Sequence, residues 1–165
     1  MLDSKQCTEL AKAIIGMANR AICAHQLRGP AWKIARMRRI RPVDYMRYAE
    51  FLAVFEMIRL KPDMRILDIG SPQFLSLYLA HKYPECQFYY VNILPREIEP
   101  FRSIAIACGI INIYYNIQDV RNISQVKMGL FDRALSISVI EHVAPENGGD
   151  VIAINRIRTV LKTGG

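Results

Sequence analysis

The chain has 165 residues, of which 52% are hydrophobic, and this composition excludes a disordered protein and fits one domain with a packed core. The formal net charge of +7 is uneven, because residues 1–44 hold nine basic and three acidic side chains and the other 121 residues carry about +1. No apolar run reaches the roughly 18 residues of a membrane span, and no basic segment followed by an apolar core opens the chain, so we expect a cytoplasmic protein.

The first 44 residues are predicted to form a basic helical arm. Asp3 or Ser4 can cap a first helix with apolar residues at helical spacing, and Gly29-Pro30 is expected to stop it. The basic segment 31–41 then forms a short helix or an irregular arm. Its cations either contact phosphate, in a nucleic acid or an anionic membrane surface, or form a solvated face over the domain. The solvated face is the favoured interpretation.

Beyond the arm, helical patterns alternate with short apolar runs that are typical of buried strands. The predicted strands cover 66–69, 87–94, 110–117 and 131–138. The predicted helices cover 43–60, a segment capped by Ser71 with Pro72 as its first residue, 96–108 and 151–161, with loops at 118–130 and 145–150. Buried strands separated by helices specify an α/β fold, here a doubly wound parallel sheet with N-terminal helices.

Polar residues stand at or just beyond the end of each predicted strand. They are Asp68, Asn92, Asp119 and Glu141. Because ligands of open parallel sheets bind outside the carboxyl ends of the strands, these residues predict a ligand site at that edge.

The four cysteines, Cys7, Cys23, Cys86 and Cys108, show no C-x-x-C spacing and no histidine at metal-ligand spacing. We therefore expect buried free thiols and no metal site.

Four segments in order resemble the class I S-adenosylmethionine-dependent methyltransferases. They are 60–70 (LKPDMRILDIG), 118–123 (QDVRNI), 131–143 (FDRALSISVIEHV) and 160–165 (VLKTGG). The resemblance runs from about residue 46 to residue 165, and it implies a Rossmann-like fold with S-adenosylmethionine as cofactor. We divide the chain into the arm, 1–44, and a partial methyltransferase domain, 45–165.

The resemblance implies that the turn after the first strand binds the methionine end of the cofactor. Asp68, Gly70 and the helix start near Ser71 would hold it. Asn92 stands where the family usually has an acid that binds both ribose hydroxyls. For Asp68, a purely structural role as a capping carboxylate is the alternative.

The later motifs imply the rest of the site. Asp119 would accept a hydrogen bond from the adenine amino group, with the Val120 backbone beside it, and Ser138 would pass beneath the sulfonium. Glu141 and His142 would line the reaction pocket as the catalytic pair. A turn-forming role for Asp119, and an ordinary loop role for Glu141 and His142, are the alternatives, since many methyl transfers need only alignment of the reactants.

The chain departs from the family pattern in two places in the predicted cofactor site. Ser71-Pro72-Gln73-Phe74 replaces the small residues that usually follow the glycine, and Asn92 is neutral.

Upstream, Arg47 to Phe51 resembles a helix that covers the cofactor in some members.

The family also has further strands after the segment that matches 160–165. Without them, the fourth strand would be an open edge of the sheet. We expect that a missing C-terminal segment or a partner covers this edge, and truncation is the favoured explanation.

These observations favour a methyltransferase for a small-molecule or lipid-like acceptor. The alternatives are a degenerate or truncated domain that binds without catalysis, and a nucleic-acid methyltransferase that uses the basic arm. The nucleic-acid reading is not favoured, because the chain lacks an Asn/Asp-Pro-Pro-Tyr-like stretch.

Overall fold

The computed structural model describes residues 4–24, 27–144 and 147–165. The predicted cap at Asp3, and residues 145–146 of the predicted polar loop, lie outside this part of the chain. In the described ranges, no helix combines the length and the apolar character that a membrane crossing requires.

Four parallel strands form the sheet, in the order β3-β2-β1-β4. The strands are β1 (Arg65–Ile69), β2 (Gln87–Asn92), β3 (Ile113–Ile117) and β4 (Arg133–Leu135). The chain first adds strands on one side of β1 and then places β4 on its other side. The topological switch point therefore lies at the carboxyl ends of β1 and β4.

Seven α-helices cover the sheet and its edges in the described residues. They are α1 (Ser4–Cys23), α2 (Gly29–Ile40), α3 (Tyr45–Ile58), α4 (Gln73–Lys82), α5 (Pro95–Ala107), α6 (Gln125–Met128) and α7 (Gly149–Thr159). Short 3₁₀ helices lie at Val120–Asn122 and Ile140–His142.

Successive residues of β1 point to opposite faces of the sheet, so the fold has two apolar cores. Ile66 packs on one face, in a cluster that contains α1, α4 and α5 residues such as Met17, Leu75 and Ile104. Leu67 packs on the other face with residues that include Ala153 of α7. The predicted doubly wound α/β fold with N-terminal helices is confirmed.

The prediction that Gly29-Pro30 stops the first helix is wrong. Helix α1 ends at Cys23, and Gly29-Pro30 instead begins α2, where proline's missing N–H has no cost. The basic segment 31–41 is helical as far as Ile40.

Strand β3 begins three residues later than predicted, because Asn112 closes the turn before it. Its side-chain amide donates to the carbonyl oxygens of Ala80 (3.0 Å), Tyr83 (3.1 Å) and Cys86 (2.9 Å). The predicted loop at 118–130 contains two short helical segments.

Strand β4 ends three residues earlier than predicted, because side chains replace the ladder after Leu135. Ser136 Oγ donates to the Ile69 carbonyl oxygen (3.0 Å), and the Ile137 N–H donates to Ser71 Oγ (3.1 Å). Ser138 then has a left-handed backbone (φ +55°), which takes the chain out of the sheet.

All four cysteines are free thiols, as predicted, but only Cys86 is buried. Cys23 is exposed at the end of α1.

Candidate functional site

Asp68, at the end of β1, is fully buried and holds the turn that follows. One carboxylate oxygen accepts the Ser71 N–H (3.1 Å), and the other accepts the Ser76 hydroxyl from the first turns of α4. Burial raises the pKa of Asp68 to about 6, although the hydrogen bonds from Ser76 and Ser71 lower it. The carboxylate therefore lies behind the turn and joins it to α4.

Ser71 links the turn to the neighbouring strands. Its side chain is not the predicted N-cap, because Pro72 occupies the cap position and Ser71 Oγ accepts the Ile137 N–H instead. The Ser71 carbonyl oxygen accepts the Tyr90 hydroxyl (3.0 Å), and the residue is 1% exposed.

The turn after β1 requires a residue without a side chain at position 70. The φ of Gly70 is +63°, and an added Cβ would lie 3.1 Å from Val139 Cγ1 and 3.2 Å from Val139 Cγ2. The turn after β1 therefore closes against the segment after β4.

Two cavities meet at this turn, and Gly70, Glu97 and Ser138 line both of them. The helix-side cavity, of about 480 Å³, lies between the turn and α2, α3, α4 and α5. The strand-side cavity, of about 440 Å³, lies over the carboxyl ends of β1, β2 and β3 and the segment after β4. Both are at the switch point of the sheet.

Six of the nine predicted site residues line the strand-side cavity: Gly70, Asn92, Asp119, Val120, Ser138 and His142. Ser71 lines the helix-side cavity. Asp68 and Glu141 line neither cavity, and Glu141 is exposed on the 3₁₀ helix that also carries His142. The structure therefore brings Glu141 and His142 onto one short segment but only His142 to a cavity.

Asp119 is held by the arginine two residues later. Its carboxylate accepts the Arg121 backbone N–H (2.8 Å) and the Arg121 guanidinium, with a closest contact of 2.6 Å to Nη2. These hydrogen bonds hold the pKa of Asp119 below its usual value. A ligand amino group at this carboxylate would share it with Arg121.

Glu97 is a candidate site residue that the sequence reasoning missed. Asn92 Oδ1 accepts the Leu94 N–H (2.9 Å), and Asn92 Nδ2 donates to Glu97 Oε2 (3.1 Å). Asn92 is thus part of a turn, and it orients a carboxylate from the first turn of α5 towards the end of β2. The sequence does contain a signal for Glu97, because it is an acidic residue in the first turn of a helix that starts directly after a strand.

Helix α3 is tied across the helix-side cavity to the segment after β4. Arg47 Nη1 donates to Glu50 Oε2 (2.6 Å) and to Ser138 Oγ (3.0 Å), and Ser138 Oγ lies 3.3 Å from Glu50 Oε1. Phe51, on the same helix, is buried and lines the cavity. The segment from Arg47 to Phe51 therefore closes one side of this space.

No family model and no curated protein matches this sequence. Solved structures do match. Coclaurine N-methyltransferase, bound to N-methylheliamine and SAH, superposes with a TM-score of 0.59 at 20% identity, covering 69% of this chain and 32% of that one. TrmN from Thermus thermophilus gives a TM-score of 0.56 at 20% identity, covering 68% and 34%. YjhP from E. coli gives 0.57 at 16% identity, covering 90% and 53%.

This chain has the class I methyltransferase fold. It spans between about a third and a half of the length of these three structures. At such identities the likeness concerns the fold and does not assign the residues that bind ligand.

Proposed function

We propose that this chain is the cofactor-binding part of an S-adenosylmethionine-dependent methyltransferase that acts on a small-molecule or lipid-like acceptor. The observation that carries the proposal is the pair of cavities that meet at Gly70 and Ser138, at the switch point of a methyltransferase fold. An extended cofactor with its reactive centre at this junction would expose the transferable methyl group to the helix-side cavity.

The strand-side cavity suits the adenosine part of the cofactor. Asp119, Val120, Asn92 and Glu97 all line it. Because the Asn92 side chain already caps a turn, Glu97 is the group that supplies a carboxylate for ribose hydroxyls in this proposal. Two solved neighbours, the coclaurine enzyme and a domain of EvdMO1, contain SAH.

The helix-side cavity suits the methionine end and an acceptor with an apolar body. Phe51, Phe74 and Phe101 form apolar parts of its wall, and Arg38 and Arg96 contribute cations. Such a lining fits a largely apolar acceptor that carries a polar or anionic group. Alignment of the acceptor with the methyl group supplies most of the rate, and His142 lines the other side of the junction as a candidate base.

One observation favours the second candidate, a degenerate domain that is not an enzyme and binds some other ligand or partner. The bidentate contact with Arg121 uses the acceptor positions of Asp119 that an adenine amino group would need. If the Arg121 guanidinium remains bound to Asp119, the strand-side cavity would bind the cofactor weakly.

Calorimetric titration with S-adenosylmethionine and S-adenosylhomocysteine tests the proposal. Binding of both is expected, and Asp119→Ala and Glu97→Gln should each weaken it by about tenfold or more, as expected for a lost hydrogen bond to a charged group. Glu99→Gln is the matched control for Glu97→Gln, because Glu99 lies two residues later and pairs with Arg102 on the surface. Absence of both heat and thermal stabilisation at millimolar ligand would refute the proposal.

A further inference from the structure

Helix α2 and the start of α3 carry an exposed surface in which basic and large apolar side chains alternate. We call it the basic-apolar surface. Its members are Trp32, Lys33, Arg36, Met37, Arg39, Ile40, Arg41, Tyr45 and Met46, all of which are exposed. Tyr45 is 81% exposed, Ile40 75% and Met46 74%. The described residues therefore leave most of the surface of these three side chains uncovered.

The helical geometry of α2 explains how this surface forms. Ala31 and Ala35 are buried on the inner side of the helix, which packs between α1 and α5. Trp32 and Arg36 are one turn apart on the outer side, with the guanidinium 5.3 Å from the ring centre. The outer side is thus left to long cations and large apolar groups.

The charge of this segment is strongly positive. Between residues 27 and 46 there are six basic side chains and one acidic one, Asp44. Arg38 is turned towards Asp44, at 3.3 Å, and lines the helix-side cavity. The other cations stand on the exposed side and remain available to an external anion.

We propose that the basic-apolar surface binds the headgroup region of an anionic lipid bilayer. The cations attract anionic headgroups. Moving Ile40 and Met46 from water to the boundary with the acyl chains lowers the free energy, because both side chains are apolar. Trp32 and Tyr45 have the amphipathic rings that are enriched at this depth. A nucleic acid offers the phosphates but no apolar medium for Ile40 and Met46, so the lipid surface accounts for more of what is exposed.

The basic-apolar surface also borders the helix-side cavity. Pro42, Val43 and Asp44, which connect α2 to α3, line that cavity. A bilayer bound here would lie beside the space assigned above to the methyl acceptor. The membrane contact itself does not depend on methyl transfer or on the cofactor.

Vesicle binding can be measured with the single tryptophan of the chain, because Trp32 lies in the surface and is 37% exposed. The protein is titrated with vesicles of phosphatidylcholine alone and of phosphatidylcholine with about 30% phosphatidylglycerol. We expect a blue shift of Trp32 emission and a partition coefficient at least tenfold higher for the anionic vesicles. Added salt should reduce this binding.

Two sets of variants separate the apolar contribution to vesicle binding from the electrostatic one. Ile40→Ser with Met46→Ser should lower partitioning about tenfold, and Arg36→Gln and Arg39→Gln should each lower it about fivefold. The matched control is Ile106→Ser with Ile111→Ser, since these residues are 68% and 88% exposed but lie at the end of α5 and before β3. The control should bind vesicles as the parent protein does.

Three outcomes would overturn the proposal. They are equal binding to neutral and anionic vesicles, an equal loss in the Ile106/Ile111 control, and binding to single-stranded RNA at a salt concentration where vesicles do not bind. Because the titration contains no cofactor, a failure here leaves the calorimetric test of cofactor binding unaffected, and the reverse also holds.

Discussion

Replacing Asp68 with asparagine isolates the cost of burying a carboxyl group beneath the turn after β1. The side chain is fully buried, and its two oxygens accept from the Ser71 N–H and the Ser76 hydroxyl. An asparagine of the same shape can still accept the Ser71 N–H with its oxygen. Its amide can donate to Ser76 Oγ, because a hydroxyl both donates and accepts. The substitution therefore removes the ionisation and keeps the contacts.

The magnitude follows from the shifted pKa. Burial raises the pKa of Asp68 from 3.8 to about 6, so the folded state binds the proton more tightly than the unfolded state does. Two pKa units correspond to about 3 kcal/mol. The stability contributed by this proton is fully present below about pH 4 and is lost as the pH rises through about 6. We therefore expect Asp68→Asn to be about 2–3 kcal/mol more stable than the parent protein near neutral pH and nearly equal to it near pH 4.

The measurement is urea unfolding of both proteins across this pH range, with the unfolding monitored by circular dichroism. Asp132→Asn is a control of opposite sign. Desolvation raises the pKa of Asp132, but the hydrogen bonds from the Arg65 N–H and Lys162 bring it below its usual value. That variant should lose stability near neutral pH. An Asp68→Asn protein that is less stable than the parent at neutral pH, or that shows the same pH dependence, would refute the reasoning.

The same variant separates two roles for Asp68 in ligand binding. If the carboxylate acts only by holding the turn, as its burial indicates, Asp68→Asn should bind S-adenosylhomocysteine within about threefold of the parent protein. A loss of tenfold or more would mean that the carboxylate itself contacts the cofactor.

Three further predictions follow from the geometry. Gly70→Ala should destabilise the fold by about 1–3 kcal/mol more than Gly109→Ala in urea unfolding, since both glycines have positive φ but only Gly70 lies against Val139; equal losses would exclude the contact. Asn112→Ala should lower the free energy of unfolding by about 2 kcal/mol, because three carbonyl oxygens lose their donor, and a loss below about 0.5 kcal/mol would contradict this. Arg121→Ala should bind S-adenosylhomocysteine at least as tightly as the parent protein in calorimetry, because the Asp119 carboxylate is released; weaker binding would show that Arg121 itself contacts the ligand.

Much of the fold could be predicted because its elements are encoded by neighbouring residues. Alternating apolar runs and helical patterns predicted four strands and the helices between them, and the structure confirms a parallel sheet with helices on both faces. The ends of the elements were less accurate where distant groups decide them. Strand β4 stops at Leu135 because Ser71, 66 residues earlier in the chain, accepts the Ile137 N–H.

In the candidate site, the polar residues at the carboxyl edge of the sheet could be predicted from the chain, since strand ends and turns are local features. The contacts of each side chain could not, because they depend on the tertiary fold. It turned Asp68 into the protein, joined Asn92 to Glu97, and brought Arg47 to Ser138, 91 residues later. Hydrogen bonds across such separations depend on how the helices pack on the sheet, and no local pattern of residues specifies that packing.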